Sequence, residues 1–136
     1  MISDLLTKQS IPVIDVDDNG VSIFSKSDYD LSQRGGMFLS EQLKALNFRL
    51  RRSAAAYRAD WHVAGDPTLI VVLAGTVRIS LRGGDYRDFT AGEMFIAKDR
   101  LLTGEAFDDS RHGHSAEVIS DCALNAIHIK LDKLKG

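Results

Sequence analysis

Hydrophobic and polar residues alternate in several short segments of the chain. Residues 46–51 read LNFRLR and residues 77–82 read VRISLR, so that every second position is apolar. Residues 126–131 have the same period near the C-terminus. Because successive side chains of a β-strand point to opposite faces, this period predicts half-buried strands at all three places.

Other segments predict strands of different kinds. Residues 69–74 are apolar without interruption, which suits a strand covered on both faces, and residues 94–97 form a shorter apolar run. The pair Gly83-Gly84 accepts the positive φ angles of a tight hairpin turn, so residues 86–89 are expected to return as the partner strand. Two earlier strands are expected at 13–16 and 21–24.

Helical patterns are scarce. Residues 40–46 suit either a turn or two of helix capped by Ser40 or an irregular approach to the next strand, and the first ten residues suit a short helix. Many short strands separated by glycine-bearing turns predict an all-β sandwich or barrel.

Composition narrows the classes of function. The 136 residues are 44% hydrophobic and 26% charged, as in a globular domain and unlike a disordered chain. A formal net charge of −2 argues against nucleic-acid binding, which depends on neutralising phosphates. We find no signal peptide and no apolar run near the ~20 residues of a membrane span, so we expect a cytoplasmic protein that binds neither nucleic acid nor membrane. The single Cys122 excludes an internal disulfide.

Three features occur in the order and spacing of a known family. They are the tripeptide Asp60-Trp61-His62, the sequence LIVVLAGTVRISL at 69–81 and the turn FTAGE at 89–93. With them the chain resembles the cupins, small β-barrels of the double-sheet jelly-roll kind, and specifically the small bacterial single-domain cupins. The resemblance implies one domain over 1–136. Its barrel core would lie at 43–132, after an N-terminal extension, 1–42, that covers this barrel or swaps onto a neighbour.

The resemblance also implies where a metal would lie. In metal-containing cupins three histidines and one glutamate converge in the barrel, a set that suits Fe, Mn, Zn, Ni or Cu. When the family pattern is aligned on Gly75, the four positions fall at His62, Ala64, Thr68 and Phe95. Only His62 keeps the family's ligand, so the standard three-His-one-Glu centre is not expected here.

A small molecule in the barrel mouth is the alternative to a metal. The residues expected to contact such a ligand are His62, Thr68, Phe95 and His128. His62 is the main candidate because it occupies one of the family's ligand positions. A histidine of the barrel wall whose ring nitrogens bond to backbone is the structural alternative, and the sequence does not distinguish the two. His128 would join the site only if its face of the strand looks into the barrel.

A second His-x-His pair is formed by His112 and His114. On a strand this spacing points both rings to one face, where they can hold a transition metal, whereas on a loop it is a solvated tip. If a divalent transition metal binds, we expect its ligands to be His62, His114 and His112. Asp99 and Glu105 are weaker candidates for a general base.

Three classes of function are open. The first is binding of a small organic molecule without metal chemistry. The second is a metal-dependent oxygenase, isomerase or lyase of a small polar substrate, which would use His62 with His114, His112 or His128. The third is a sensory or structural partner of another protein. We expect a homodimer, because residues 69–74 are apolar on both faces and the N-terminal extension can cover the edge of a neighbouring sheet.

Overall fold

The structure, a computed structural model, describes residues 4–132. Within that range no helix is long and apolar enough to cross a bilayer. The elements are α1 (Asp4–Thr7), β1 (Lys8–Val16), β2 (Ser22–Asp30), β3 (Ser32–Arg34), β4 (Met37–Leu39), β5 (Ala45–Ser53), β6 (Arg58–His62), β7 (Thr68–Ala74), β8 (Thr76–Ser80), β9 (Tyr86–Thr90), β10 (Met94–Ala97), β11 (His114–Val118) and β12 (Leu124–Leu131).

Two sheets form the barrel. The larger has the strand order β2-β1-β10-β7-β12-β5, the smaller has the order β6-β11-β8-β9, and β3 and β4 form a separate hairpin. Apart from the consecutive pairs β1/β2 and β8/β9, neighbouring strands in the two large sheets are not consecutive in sequence. β1 pairs in parallel with β10, and β7 pairs antiparallel with both β10 and β12. This order is that of a double-sheet jelly roll, and it confirms the predicted all-β fold.

The predicted strands are all present, but β1 and β2 are about twice as long as predicted: they span Lys8–Val16 and Ser22–Asp30, where strands were expected at 13–16 and 21–24. Met94–Ala97 is β10 as expected, and the glycine pair at 83–84 lies between β8 and β9, which pair along their length. Residues 40–44 are irregular and lead into β5, which is the second of the two arrangements expected there. At the N-terminus α1 is a single turn, because β1 already begins at Lys8.

The N-terminal strands belong to the barrel's own sheet. β1 pairs with β2 over nine residues and with β10 at Val13 and Ile14. Ile14 then joins the buried cluster between the sheets, whose other buried members are Val72, Val77, Ile79, Phe89, Phe95, Ala97, Val118 and Leu124. Removing these side chains from water is the main favourable term in the stability of the barrel.

β5 is turned the opposite way from its prediction. Leu46, Phe48 and Leu50 are 56%, 70% and 73% exposed, so their face is not half-buried as the alternation indicated. The alternate residues Arg51 and Ser53 line the inside of the barrel instead. The physical reason is position: β5 is an edge strand that pairs with β12 alone, and its polar face borders a cavity.

Candidate functional site

A cavity of about 90 Å³ opens between the two sheets. Its apolar wall comes from both sheets and consists of Ala59, Ile70, Val77, Ile79, Phe95, Ala116, Val118 and Leu124. Its polar wall consists of Arg51, Ser53, Tyr57, His62, His114, Glu117 and His128. A concave site that combines an apolar wall with a few convergent polar groups is typical of small-molecule binding.

His114 is held by a buried carboxylate. Its Nδ1 donates to Asp99 Oδ2 at 2.7 Å, and Asp99 has no exposed surface. The same oxygen accepts from Ser22 Oγ at 2.6 Å, and Asp99 Oδ1 accepts from the Ala64 N–H at 3.0 Å. Three donors therefore offset the cost of burying this charge. In the neutral ring of His114, Nε2 then carries the lone pair.

His62 lies beside His114 in register. The two residues are paired across β6 and β11, and their ring centroids are 4.5 Å apart. His62 Nδ1 donates to the carbonyl oxygen of Asp60 at 2.6 Å. Because a carbonyl oxygen can only accept, this contact fixes the proton on Nδ1 and leaves Nε2 as an acceptor.

The surroundings keep two of the cavity histidines neutral. Burial lowers the pKa of His62, and the neighbouring His114 and Arg51 lower it further, although the Asp60 carbonyl and Asp99 oppose them. Burial, with Arg51 and Arg49, lowers the pKa of His128 from 6.5 to about 4. At neutral pH both rings are therefore hydrogen-bond acceptors and donors without charge.

Phe95 forms the floor of the cavity, at a position where the aligned family pattern has a metal ligand. Phe95 is 2% exposed and stacks on Phe89 with ring centroids 4.3 Å apart. Ile70, on the neighbouring strand, is paired with Phe95. A carbon ring at this position offers no donor atom, so it contributes apolar contact area to any ligand.

Two residues predicted for the site lie elsewhere. Thr68 begins β7 and bonds through Oγ1 to the Asp66 carbonyl oxygen at 3.1 Å, and it is not among the residues that line the cavity. His112 is fully buried beneath the loop that precedes β11, where its Nδ1 accepts from the Asp108 N–H at 2.9 Å. Its Nε2 is 3.5 Å from Glu105 Oε2, so the predicted contribution of His112 beside His62 and His114 has no geometric basis.

The reason His112 and His114 separate is local. β11 begins only at His114, and Gly113 before it has φ of +84°. This backbone conformation breaks the strand period that would have placed both rings on one face. In residues 4–132, no group of three or more His, Cys, Asp or Glu side chains is placed to hold a metal ion.

Contacts of two arginines hold the loop between β10 and β11 in place on the outside of the site. Arg82 donates twice to the His112 carbonyl oxygen, at 3.0 and 2.8 Å, and its guanidinium lies 4.0 Å from the Trp61 ring. Arg111 pairs with Glu105 and donates to the Asn19 carbonyl oxygen at 2.6 Å. These contacts fix the strand ends that carry His62 and His114, and Trp61 is not among the residues that line the cavity.

Sequence reasoning missed several residues of the site. Arg51 and Tyr57 stand at its mouth, and Asp99 and Ser22 support it from below. The alternation in β5 is a signal for Arg51, but a half-buried strand with its leucines inside would place the arginine outside. Asp99 was considered only as a base, and its 15-residue separation from His114 gives no local sign of their contact.

No family model and no curated protein matches the chain. Among solved structures, ToxT from Vibrio cholerae is 11% identical over 66% of this chain with a TM-score of 0.49, and the chain spans only 32% of that protein's length. A cupin domain from Bordetella pertussis is 13% identical, with 68% of this chain and 98% of that chain covered and a TM-score of 0.46. A cupin superfamily protein from Desulfitobacterium hafniense is 14% identical, with 76% and 84% covered and a TM-score of 0.45.

The facing sheets and their strand order define the class of protein: a single barrel of the double-sheet jelly-roll kind. The chain thus has the double-sheet jelly-roll fold that the resemblance in sequence implied. At these identities the likeness to the solved structures concerns the fold alone.

Proposed function

We propose that the protein binds a small organic molecule in the barrel cavity. The observation that carries the proposal is the pair His62 and His114, whose Nδ1 atoms are both bonded within the protein. Each ring thus has its other nitrogen as its free hydrogen-bonding atom, and both rings line the cavity. A ligand with a hydroxyl or amide donor would bond to this pair and place its carbon skeleton against Ile70 and Phe95.

The donor set favours this function over a metal-dependent enzyme. The cupin metal centre needs four ligands, and of the four family positions Ala64, Thr68 and Phe95 do not supply one. The imidazole pair alone offers two nitrogen donors, and His112 lies away from the cavity. Metal analysis of the purified protein checks this choice, because a stoichiometric transition metal that is lost in His62→Ala would favour the enzyme.

A thermal-shift screen of small polar and apolar compounds tests the binding function. We expect hits that raise the melting temperature of the wild type and no longer do so in His62→Ala or His114→Ala. Thr68→Ala is the matched control, because this family position lies outside the cavity, and the shift should persist in it. A library without hits, or hits that both histidine variants retain, would refute the proposal.

We also propose that two copies associate through the outer face of the larger sheet. The register aligns one apolar row across five strands: Phe48, Ile129, Leu69, Ile96 and Val13. Ile96 and Val13 are buried within the chain itself, so the exposed apolar part of this face lies on β5, where Leu46, Phe48 and Leu50 are 56%, 70% and 73% exposed. A second row contains Leu50, Ile127, Val71 and Met94. Exposed apolar patches of a few hundred Å² mark interfaces, and a stable dimer needs about 800 Å² from each copy. A second copy fits because the exposed apolar side chains of β5 can be buried against the same side chains of a copy related by a two-fold axis.

Light scattering at micromolar concentration tests the assembly. Phe48→Ser should give monomers, because Phe48 is 70% exposed between the exposed Leu46 and Leu50 on the edge strand β5. Phe107→Ser is the control, since Phe107 is 41% exposed on the loop before β11. A monomeric wild type, or a Phe48→Ser variant that remains dimeric, would contradict the proposed interface.

A further inference from the structure

We infer that the ligand of this cavity is an organic anion, a carboxylate on a short apolar body, whose charged group is bound by Arg51 at the cavity mouth. This inference rests on the proposed binding function and adds the chemical class of the ligand. It follows from the charges around the mouth, from the floor of the cavity and from the geometry of Arg51.

Arg51 is a cation without an anionic partner. Its guanidinium has Tyr57 as its neighbour, with Nη2 3.5 Å from the phenol oxygen and the guanidinium carbon 5.8 Å from the ring centre. Among the described residues no carboxylate lies within salt-bridge distance of it. Other arginines of the barrel do have such partners: Arg58 with Glu117, Arg78 with Asp88, Arg82 with Asp109 and Arg111 with Glu105.

The charge of Arg51 extends to both sides of the cavity. It disfavours the protonated form of His62 on β6 and that of His128 on β12, so it lies within electrostatic reach of both rings. Arg49 acts on His128 in the same direction. A mouth with one unpaired guanidinium and two neutral imidazoles attracts an anion and repels an ammonium group.

The acidic groups near the cavity do not cancel the positive electrostatic potential of Arg51. The charged and titratable groups that face it are Arg49, Arg51, Tyr57, His62, Asp99, His114, Glu117 and His128. Asp99 is bonded by three donors beneath His114. Glu117 is 3.9 Å from the guanidinium of Arg58. The guanidinium of Arg51 is therefore the charged group at the mouth that is available to bind a ligand.

Carboxylate is the anion that fits these groups. The planar guanidinium binds a carboxylate with two parallel hydrogen bonds, and the phenol of Tyr57 adds a third donor at the same place. A carbon body then extends toward Ile70 and Phe95. Once the anion is bound, its negative charge favours the protonated form of His128, so binding takes up protons at mildly acidic pH.

Calorimetry with butanoate and its neutral isostere butanamide tests the inference. For the wild type we expect butanoate to bind at least about tenfold more tightly than butanamide, as the loss of a charge-assisted pair implies. Arg51→Gln should remove this preference. Arg52→Gln is the matched control, because Arg52 is an exposed neighbour of Arg51 on β5 that does not line the cavity, and the preference should persist in it.

The same titrations near pH 5, in two buffers of different ionisation enthalpy, count the protons taken up. We expect net uptake in the wild type and reduced uptake in His128→Gln. Equal binding of butanoate and butanamide, or a butanoate preference that Arg51→Gln retains, would overturn the inference and leave the proposed binding function standing. No butanoate binding up to ~10 mM would also overturn it, whereas the compound screen decides the binding function separately.

Discussion

His128→Gln is expected to make the protein less sensitive to acid. In the unfolded chain the ring takes up a proton near its ordinary pKa of 6.5, but burial and Arg51 lower the pKa in the folded barrel to about 4. Between these two values the unfolded chain binds more protons, so the free energy of unfolding falls as the pH falls. The stabilising contribution is complete above pH 6.5 and lost below about pH 4.

The size of this effect follows from the two pKa values. A pKa lowered from 6.5 to about 4 corresponds to ~3 kcal/mol of differential stability at full effect. The ring borders an open cavity, and solvent screening reduces the expected contribution to roughly 1–2 kcal/mol. Glutamine has no proton to gain in this range, so the variant should lack that part of the loss.

Urea unfolding at a series of pH values between 7 and 4, at one protein concentration, measures the difference. We expect the two stability curves to converge toward acid, with the wild type losing roughly 1–2 kcal/mol more than His128→Gln. Arg51→Gln should give an intermediate curve, because it removes the second cause of the lowered pKa and leaves burial in place. Parallel curves for wild type and His128→Gln would refute this account of the ring.

Two further predictions concern the support of the site. Asp99→Asn should lower the free energy of unfolding by about 1–3 kcal/mol at pH 7, because a buried acceptor of three hydrogen bonds loses its charge. Asp109→Asn is the control in the same urea titration: its side chain is 81% exposed, so the free energy of unfolding should stay unchanged. Gly113→Ala should have a much lower melting temperature than Gly104→Ala, although the two glycines have nearly equal φ angles of +84° and +83°. The reason is that a Cβ at Gly113 would lie 2.6 Å from the His62 carbonyl oxygen, whereas a Cβ at Gly104 would meet no atom within 4 Å. Equal melting temperatures for the two alanine variants would mean that this close approach imposes no strain.

The fold was predictable to the extent that its signals are local. The glycine pair at 83–84 and the apolar run at 94–97 place a hairpin and a strand without knowledge of any distant contact. The alternation in β5 indicates that the two faces of the strand differ in polarity, but it does not indicate which face lies inside the barrel. That choice depends on the partner strand β12 and on the cavity, which are non-local, and so the burial of Leu46, Phe48 and Leu50 was predicted wrongly.

The candidate site was predictable only in part. His62 was found because it holds a family position, and His128 was found with its orientation left open. The partnership of His114 with Asp99 joins β11 to a loop 15 residues earlier, and no periodicity connects them. Thr68 and His112 were chosen by spacing, but strand ends and the positive φ of Gly113 direct them away from the cavity.

The position of positive charge distinguishes this cavity from one built around a metal. A metal centre places its charge deep in the barrel, whereas here Phe95 makes the floor apolar and Arg51 provides a cation at the mouth. A carboxylate ligand must therefore enter with its carbon chain first, so affinity should rise along the series acetate, propanoate, butanoate. Each buried methylene contributes about 0.8 kcal/mol, or roughly fourfold in the dissociation constant.

Phe95→Ser should flatten this series, because a hydroxyl replaces the ring that the chain end would contact. Thr68→Ser, a change outside the cavity, should leave the slope unaltered. Equal affinities for acetate and butanoate in the wild type would mean that the anion stays at the surface beside Arg51 and that the apolar floor takes no part in binding.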